Sequence, residues 1–147
     1  YKGFEDIRAV VHTHSEYATA FAQANKDIPC LGTTHADYFY GDIPCVPQPT
    51  EIMVKKDYER STGVCIVDYF YDEDIYPLKM PAALVQGHGV FSWGNTLKDA
   101  LENAMIVEKV AKMAILTLGL SKNSQLSSYI LKTHFTRKHG KNSYYGQ

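Results

Sequence analysis

The stretch Ile7-Arg8-Ala9-Val10-Val11, followed by His12, Thr13, His14 and Ser15, constrains this chain more than any other. Ile7 to His12 reads as a short buried strand, and Ser15 offers an N-cap for a helix over residues 16–23. A strand that passes straight into a helix is the building step of an α/β protein. Side chains at i and i+2 of a strand leave the same face. His12 and His14 therefore project together from a strand end, where α/β proteins commonly place their sites. Two imidazoles so arranged can converge on one metal ion, for which histidine is the commonest ligand. The plainer alternative is two half-exposed polar residues at a strand end.

Further along, Ile28-Pro29-Cys30-Leu31-Gly32 reads as a second short strand ended by glycine. Residues 33–49 are polar, aromatic and proline-rich (Pro44, Pro47, Pro49), which predicts an ordered loop without a regular element. Thr50 caps a short helix through Lys56. Val64 to Phe70 is β-rich and predicts a strand. Asp72-Glu73-Asp74 reads as a solvated turn. Ala82-Ala83-Leu84-Val85 predicts a further buried strand, ended by Gly87-His88-Gly89. The longest element starts at Thr96, with Asp99 three residues on. Leu97, Leu101, Ala104, Met105, Glu108, Ala111 and Ile115 mark one helical face, mostly apolar, and Gly119 is the expected stop. A last helix is expected from Ser124 to about Lys138, closed by Gly140. Strands alternating with helices give an α/β class in which helices pack on a sheet.

The bulk numbers narrow the function. With 147 residues the chain can bury one proper core, and 21% charged and 12% aromatic residues mark a globular protein. A formal net charge of -1 without a basic stripe argues against nucleic-acid binding. No apolar run approaches the length that spans a bilayer, and no signal peptide is visible. Cys30, Cys45 and Cys65 form no C-x-x-C spacing, which predicts reduced thiols in a cytoplasmic protein and argues against a zinc ribbon or a disulfide frame. The first residue is Tyr1, and a candidate site follows within a dozen residues. The expectation is a piece of a longer domain, or a processed or truncated product.

His88 is the third candidate ligand, set between Gly87 and Gly89, whose backbones can come close to a ligand. Three neutral imidazoles suit zinc and leave a coordination position open for substrate. For any one histidine, a hydrogen bond to a backbone carbonyl is the ordinary alternative. Gly32 to Phe39 gathers hydroxyls, His35, Asp37 and aromatics. Asp37 is a candidate acid–base group, against the ordinary role of turn acceptor. His35 reads as a loop hydrogen-bonder rather than a fourth ligand. His134, Arg137, Lys138 and His139 place positive charge in the last turns of a helix, which suits the helix dipole without any further role. Tyr144 and Tyr145 are either packing aromatics or, if the tail docks on another subunit, a proton donor.

His12-Thr13-His14-Ser15, Gly32 through Phe39, Gly41 through Cys45, Gly87 through Gly94, and Arg137 through Gly140 with the ending Tyr144-Tyr145-Gly146-Gln147 form one pattern. On these motifs the chain resembles the class II aldolase/epimerase superfamily over essentially its whole length. The Asp37 loop and the Tyr-Tyr-Gly-Gln ending favour its L-ribulose-5-phosphate 4-epimerase branch over the fuculose-phosphate aldolases. The resemblance implies a class II aldolase-like three-layer α/β domain over residues 1–147, a central sheet flanked by helices, with the family's N-terminal part missing. It implies His12, His14 and His88 as ligands of Zn2+, or of Mn2+ or another divalent metal. Asp37 and Tyr145 fall on the proton donor/acceptor pair, supplied across a subunit boundary of a homotetramer. Thr33, Glu59 and His134 fall near the site.

The implied reaction interconverts L-ribulose 5-phosphate and D-xylulose 5-phosphate by cleaving and re-forming the C3–C4 bond. A cleavage that leaves negative charge needs a Lewis acid, and protons must move at the C4 oxygen on either face of the aldehyde. The family's leading segment carries phosphate-binding loops and an acidic residue that joins the metal site. Glu5 and Asp6 lie too close to His12 to match that residue. Two other readings stand beside this one: an aldolase that releases its aldehyde, and a truncated, non-catalytic metal-binding relic.

Overall fold

A computed structural model describes residues 2–140. The chain runs β1 (Ala9–Thr13), α1 (Glu16–Gln23), α2 (Thr33–Ala36), β2 (Cys45–Val46), α3 (Glu51–Lys56), α4 (Tyr58–Asp72), β3 (Ala82–Val85), β4 (Gly89–Gly94), α5 (Leu97–Leu120) and α6 (Ser128–His139). The four strands form one sheet in the order β1-β4-β3-β2. β4 is antiparallel to both neighbours, and β2 joins β3 in parallel. Strand alternation on β4 assigns the two faces. Ser92 points to one face, where its hydroxyl donates to Ala100 O of α5 at 3.0 Å. Trp93 points to the other, where its ring meets Phe70 of α4 at 5.3 Å and Phe4 at 5.4 Å. Helices thus cover both sides of the sheet: α1 and α5 on one, α4 on the other. The core is continuous through it, from Ala18, Val107 and Ala111 to Ile66 and Phe70.

β1, β3, α1 and α3 form where the sequence predicts them, within a residue or two at the ends. Four expectations are corrected. Val64 to Phe70 is not a strand but part of α4, capped by Asp57, whose carboxylate accepts from Arg60 N at 3.1 Å. Its buried residues Thr62, Ile66 and Phe70 recur every four positions, and this helical period overrides the β propensity of the intervening valines. The expected strand at Ile28 shrinks to one bridge with Ile43, because Pro29 has no N–H to extend a ladder. The loop over residues 33–49 holds a one-turn helix and the two residues of β2. β4 adds a strand where the sequence reading assigns no element.

The long helix is also read too simply. It runs through Gly119 to Leu120 and stops at Ser121. Its packed face is Ala100, Val107, Val110, Ala111 and Ala114, small side chains that let the helix lie close to the sheet. Of the expected face only Ala111 is buried, while Leu97, Leu101, Met105 and Ile115 are exposed. The Thr96–Asp99 capping box is formed as its spacing predicts. The last helix begins later than expected, at Ser128 behind an N-cap at Ser127. No described helix is long and apolar enough to cross a membrane. The three cysteines are free.

Candidate metal centre

His12 sits opposite Phe91 in the β1–β4 register, and the two rings stack at 4.0 Å and 14°. Its Nδ1 lies 2.9 Å from Val90 O. A carbonyl only accepts, so Nδ1 carries the hydrogen and Nε2 is left as a lone pair. His14 lies one residue past the strand end, and its Nε2 stands 3.1 Å from His12 Nε2. His88 precedes β4 and closes the group: the ring centroids are 4.9 Å (His12–His14), 4.7 Å (His12–His88) and 5.0 Å (His14–His88) apart. One nitrogen from each ring lies within 4.8 Å of the other two.

The approach of the two segments depends on glycine. Gly87 takes a left-handed backbone, φ +67°, which turns the chain into His88. A Cβ on Gly89 would fall 2.7 Å from Thr13 O and 3.0 Å from the His14 ring. The basicity of His88 is lowered, first by burial and then by His12 and His14 beside it, so its neutral form is favoured. Nitrogen lone pairs facing one another repel, whereas a divalent cation between them would accept all three. At about 2.0–2.1 Å from zinc, two nitrogens in tetrahedral geometry stand about 3.3 Å apart. The His12–His14 spacing is already close to that. By contrast, burial and nearby Asp42 push the Cys30 thiol up to about 12, and burial and Asp27 push Cys45 up to about 11. These thiols stay protonated and are poor ligands.

The other expected site residues lie apart from the imidazole trio in what they bind. Asp37 follows α2 and is 5% exposed. Its Oδ1 accepts from His134 Nδ1 at 2.9 Å, and Arg137 Nη2 is 3.8 Å away. His139 Nε2 donates to Asp37 O at 2.8 Å. The basic residues of α6 therefore do more than suit a helix dipole: they hold Asp37. The signal was present in the i, i+3 spacing of His134 and Arg137, which puts both on one helical face. Thr33 opens α2, and its carbonyl accepts from Asp37 N at 2.9 Å. Glu59 is exposed in the first turn of α4. Tyr145 lies outside the described residues. His35 is buried and donates from Nε2 to Gly41 O at 2.9 Å, which leaves it outside the trio.

Two residues were not legible in advance. The Tyr58 hydroxyl lies 3.3 Å from His88 Nδ1, so α4 reaches the site with its first residue. Glu108, read only as a position on a helical face, bonds the start of α1 immediately after His14.

The family described as "Class II Aldolase and Adducin N-terminal domain" matches residues 1–115. An L-ribulose-5-phosphate 4-epimerase, UlaF, of Salmonella paratyphi C (strain RKS4594) is 46% identical over 148 residues, covering 100% of this chain and 64% of the relative. The same-named protein of Salmonella choleraesuis (strain SC-B67) matches equally. The chain thus spans 64% of the length of these curated relatives. Among solved structures, an L-fuculose 1-phosphate aldolase superposes with a TM-score of 0.66 at 20% identity, over 91% of this chain and 57% of that one. An L-fuculose 1-phosphate aldolase from Glaciozyma antarctica PI12 gives 0.66 at 18%, over 92% and 46%. At such identities the structural likeness speaks for the fold.

Proposed function

From the premise that this chain belongs to the class II aldolase and adducin N-terminal domain family, we propose that the complete protein is an L-ribulose-5-phosphate 4-epimerase. It interconverts L-ribulose 5-phosphate and D-xylulose 5-phosphate. The observation that carries the reading is the convergence of the His12, His14 and His88 nitrogens, with His12 held in the tautomer that aims a lone pair at its neighbour. The similarity to epimerases at 46% identity supports this chemistry over simple aldol cleavage.

In this reading His12, His14 and His88 hold one divalent cation, zinc or manganese. When bound, the cation supplies Lewis acidity that steadies negative charge as the C3–C4 bond breaks and re-forms. Three nitrogen donors leave a position open for substrate. Tyr58 beside His88 Nδ1 fixes that ring's orientation, as partners of ligating histidines do. Asp37 exchanges a proton at the C4 oxygen on one face of the cleaved fragment, and His134 and Arg137 hold its carboxylate in place. Tyr145 serves the other face, the two groups being supplied together across a subunit boundary of a homotetramer. Thr33 and Glu59 border the site. The substrate is a phosphorylated pentulose in the cytoplasm, met in arabinose or ascorbate breakdown, without nucleic-acid or membrane partners.

A coupled assay for D-xylulose 5-phosphate with the complete protein and added zinc or manganese tests this. Turnover of L-ribulose 5-phosphate is expected. Absence of turnover with both metals overturns the proposal, and free glycolaldehyde phosphate as the product replaces it with an aldolase.

A further inference from the structure

His14 is the least supported of the three imidazoles. His12 is fixed by the strand register, by Phe91 and by Val90. His88 is fixed by its backbone bond to Val85 and by Tyr58. His14 lies beyond Thr13, the last residue of β1, and among the described residues the rings it meets are those of the other two histidines. Its position is set by whatever anchors the chain on either side. On the far side that anchor should be Ser15, the N-cap of α1, but the Ser15 hydroxyl makes no cap bond and is buried without a partner among the described residues.

The cap comes from another element. Glu108, in the middle of α5, accepts from Tyr17 N through Oε1 at 2.9 Å and from Ala18 N through Oε2 at 3.0 Å. Those are the second and third residues of α1, where free N–H groups await an acceptor. A carboxylate there also meets the positive end of the helix dipole. One side chain thereby ties α1 to α5, and α5 in turn packs against β4 and β1. The helix start is held to the same frame that carries His12 and His88.

We infer that Glu108 is a positioning residue for the metal centre: by clamping the first turn of α1 it fixes where His14 stands relative to His12 and His88. The inference rests on the metal-centre reading above and adds a residue more than ninety positions from the ligand it places. Outer residues that orient a ligand commonly change metal affinity by about 10–100-fold when removed.

The test is made on the complete protein, with zinc affinity by chelator competition, the visible absorption of the cobalt(II) form, and exchange of the Tyr17 and Ala18 amides in the metal-free protein. Glu108→Ala is expected to weaken zinc by about 10–100-fold, alter the cobalt bands and speed exchange of both amides. Glu108→Gln, which keeps one acceptor oxygen, recovers part of the affinity and supplies the answer if the alanine variant does not fold. In a His14→Ala background, Glu108→Ala costs no further affinity. Thr96→Ala, which removes the N-terminal cap of α5, lowers Tm and leaves zinc affinity unchanged. Glu108→Ala with a lower Tm but unaltered affinity and cobalt spectrum overturns the inference while the metal centre stands. Unaltered affinity in His14→Ala itself overturns both.

Discussion

His12 presents its Nε2 lone pair to His14 Nε2 across 3.1 Å, because Val90 O holds the His12 proton on the opposite nitrogen. Between the neutral rings, a hydrogen on His14 Nε2 bridges the pair. A divalent cation takes that hydrogen's place and engages both nitrogens, His14 then carrying its hydrogen on Nδ1. Replacing His12, His14 or His88 by Asn is expected to lower the zinc content, measured by metal analysis after dialysis. His35→Asn is expected to retain it, because that ring bonds Gly41 O and stands outside the trio. Equal loss from His35→Asn and His14→Asn would contradict this ligand set.

Gly89 separates packing from propensity. A methyl there would meet Thr13 O at 2.7 Å, so Gly89→Ala is expected to cost about 1–3 kcal/mol and to lower zinc affinity, because it pushes apart the two segments that carry the ligands. Gly63, inside α4, and Gly119, inside α5, have nothing within 4 Å of an added Cβ. Gly63→Ala and Gly119→Ala are each expected to stabilise by about 0.5–1 kcal/mol through helix propensity. Urea denaturation of the three variants reads all of this. A stabilising Gly89→Ala would show that β1 and the β4 start are less tightly apposed than described.

The convergence of the three imidazoles was more legible in the sequence than the scaffold around it. His12 and His14 were legible because strand periodicity is strict and Ser15 marks where the strand ends. His88 was legible because glycines flank it. α4 was not, because Val64, Cys65, Ile66 and Val67 favour strands locally and only the tertiary burial of Thr62, Ile66 and Phe70 reveals a helical face. The packed face of α5 was missed for a related reason: the large side chains Leu97, Leu101 and Met105 drew attention, while the sheet selects the small ones that allow close approach. The Glu108 clamp and the hold of His134 on Asp37 join residues about ninety or more positions apart, and no local pattern encodes such a pairing.

Tyr58→Phe tests whether the hydroxyl near His88 Nδ1 matters to the centre. Loss of one outer hydrogen bond at 3.3 Å is expected to weaken zinc by about tenfold, the lower end of the usual range. Tyr58 is half exposed at a helix start, so the stability of the metal-free protein is expected to stay within about 0.5 kcal/mol of the unmodified value. Unchanged affinity would assign Tyr58 to the surface alone.

His35 gives the fold a dependence on acid that is separate from the metal. Burial lowers its pKa from 6.5 to about 4, against the opposing effect of its bond to Gly41 O. The unfolded chain therefore takes up this proton first as pH falls. The contribution is fully present above about pH 6.5 and is lost progressively toward pH 4, a loss of about 3 kcal/mol at its full extent. Metal-free protein unfolded in urea across that range should show stability falling with pH. In His35→Asn, which has no proton to take up, the slope should be shallower by up to one proton, whatever the absolute stability of the variant. Identical slopes would mean that the His35 ring is hydrated and titrates normally in the folded state, and its burial against Phe39 would have to be abandoned.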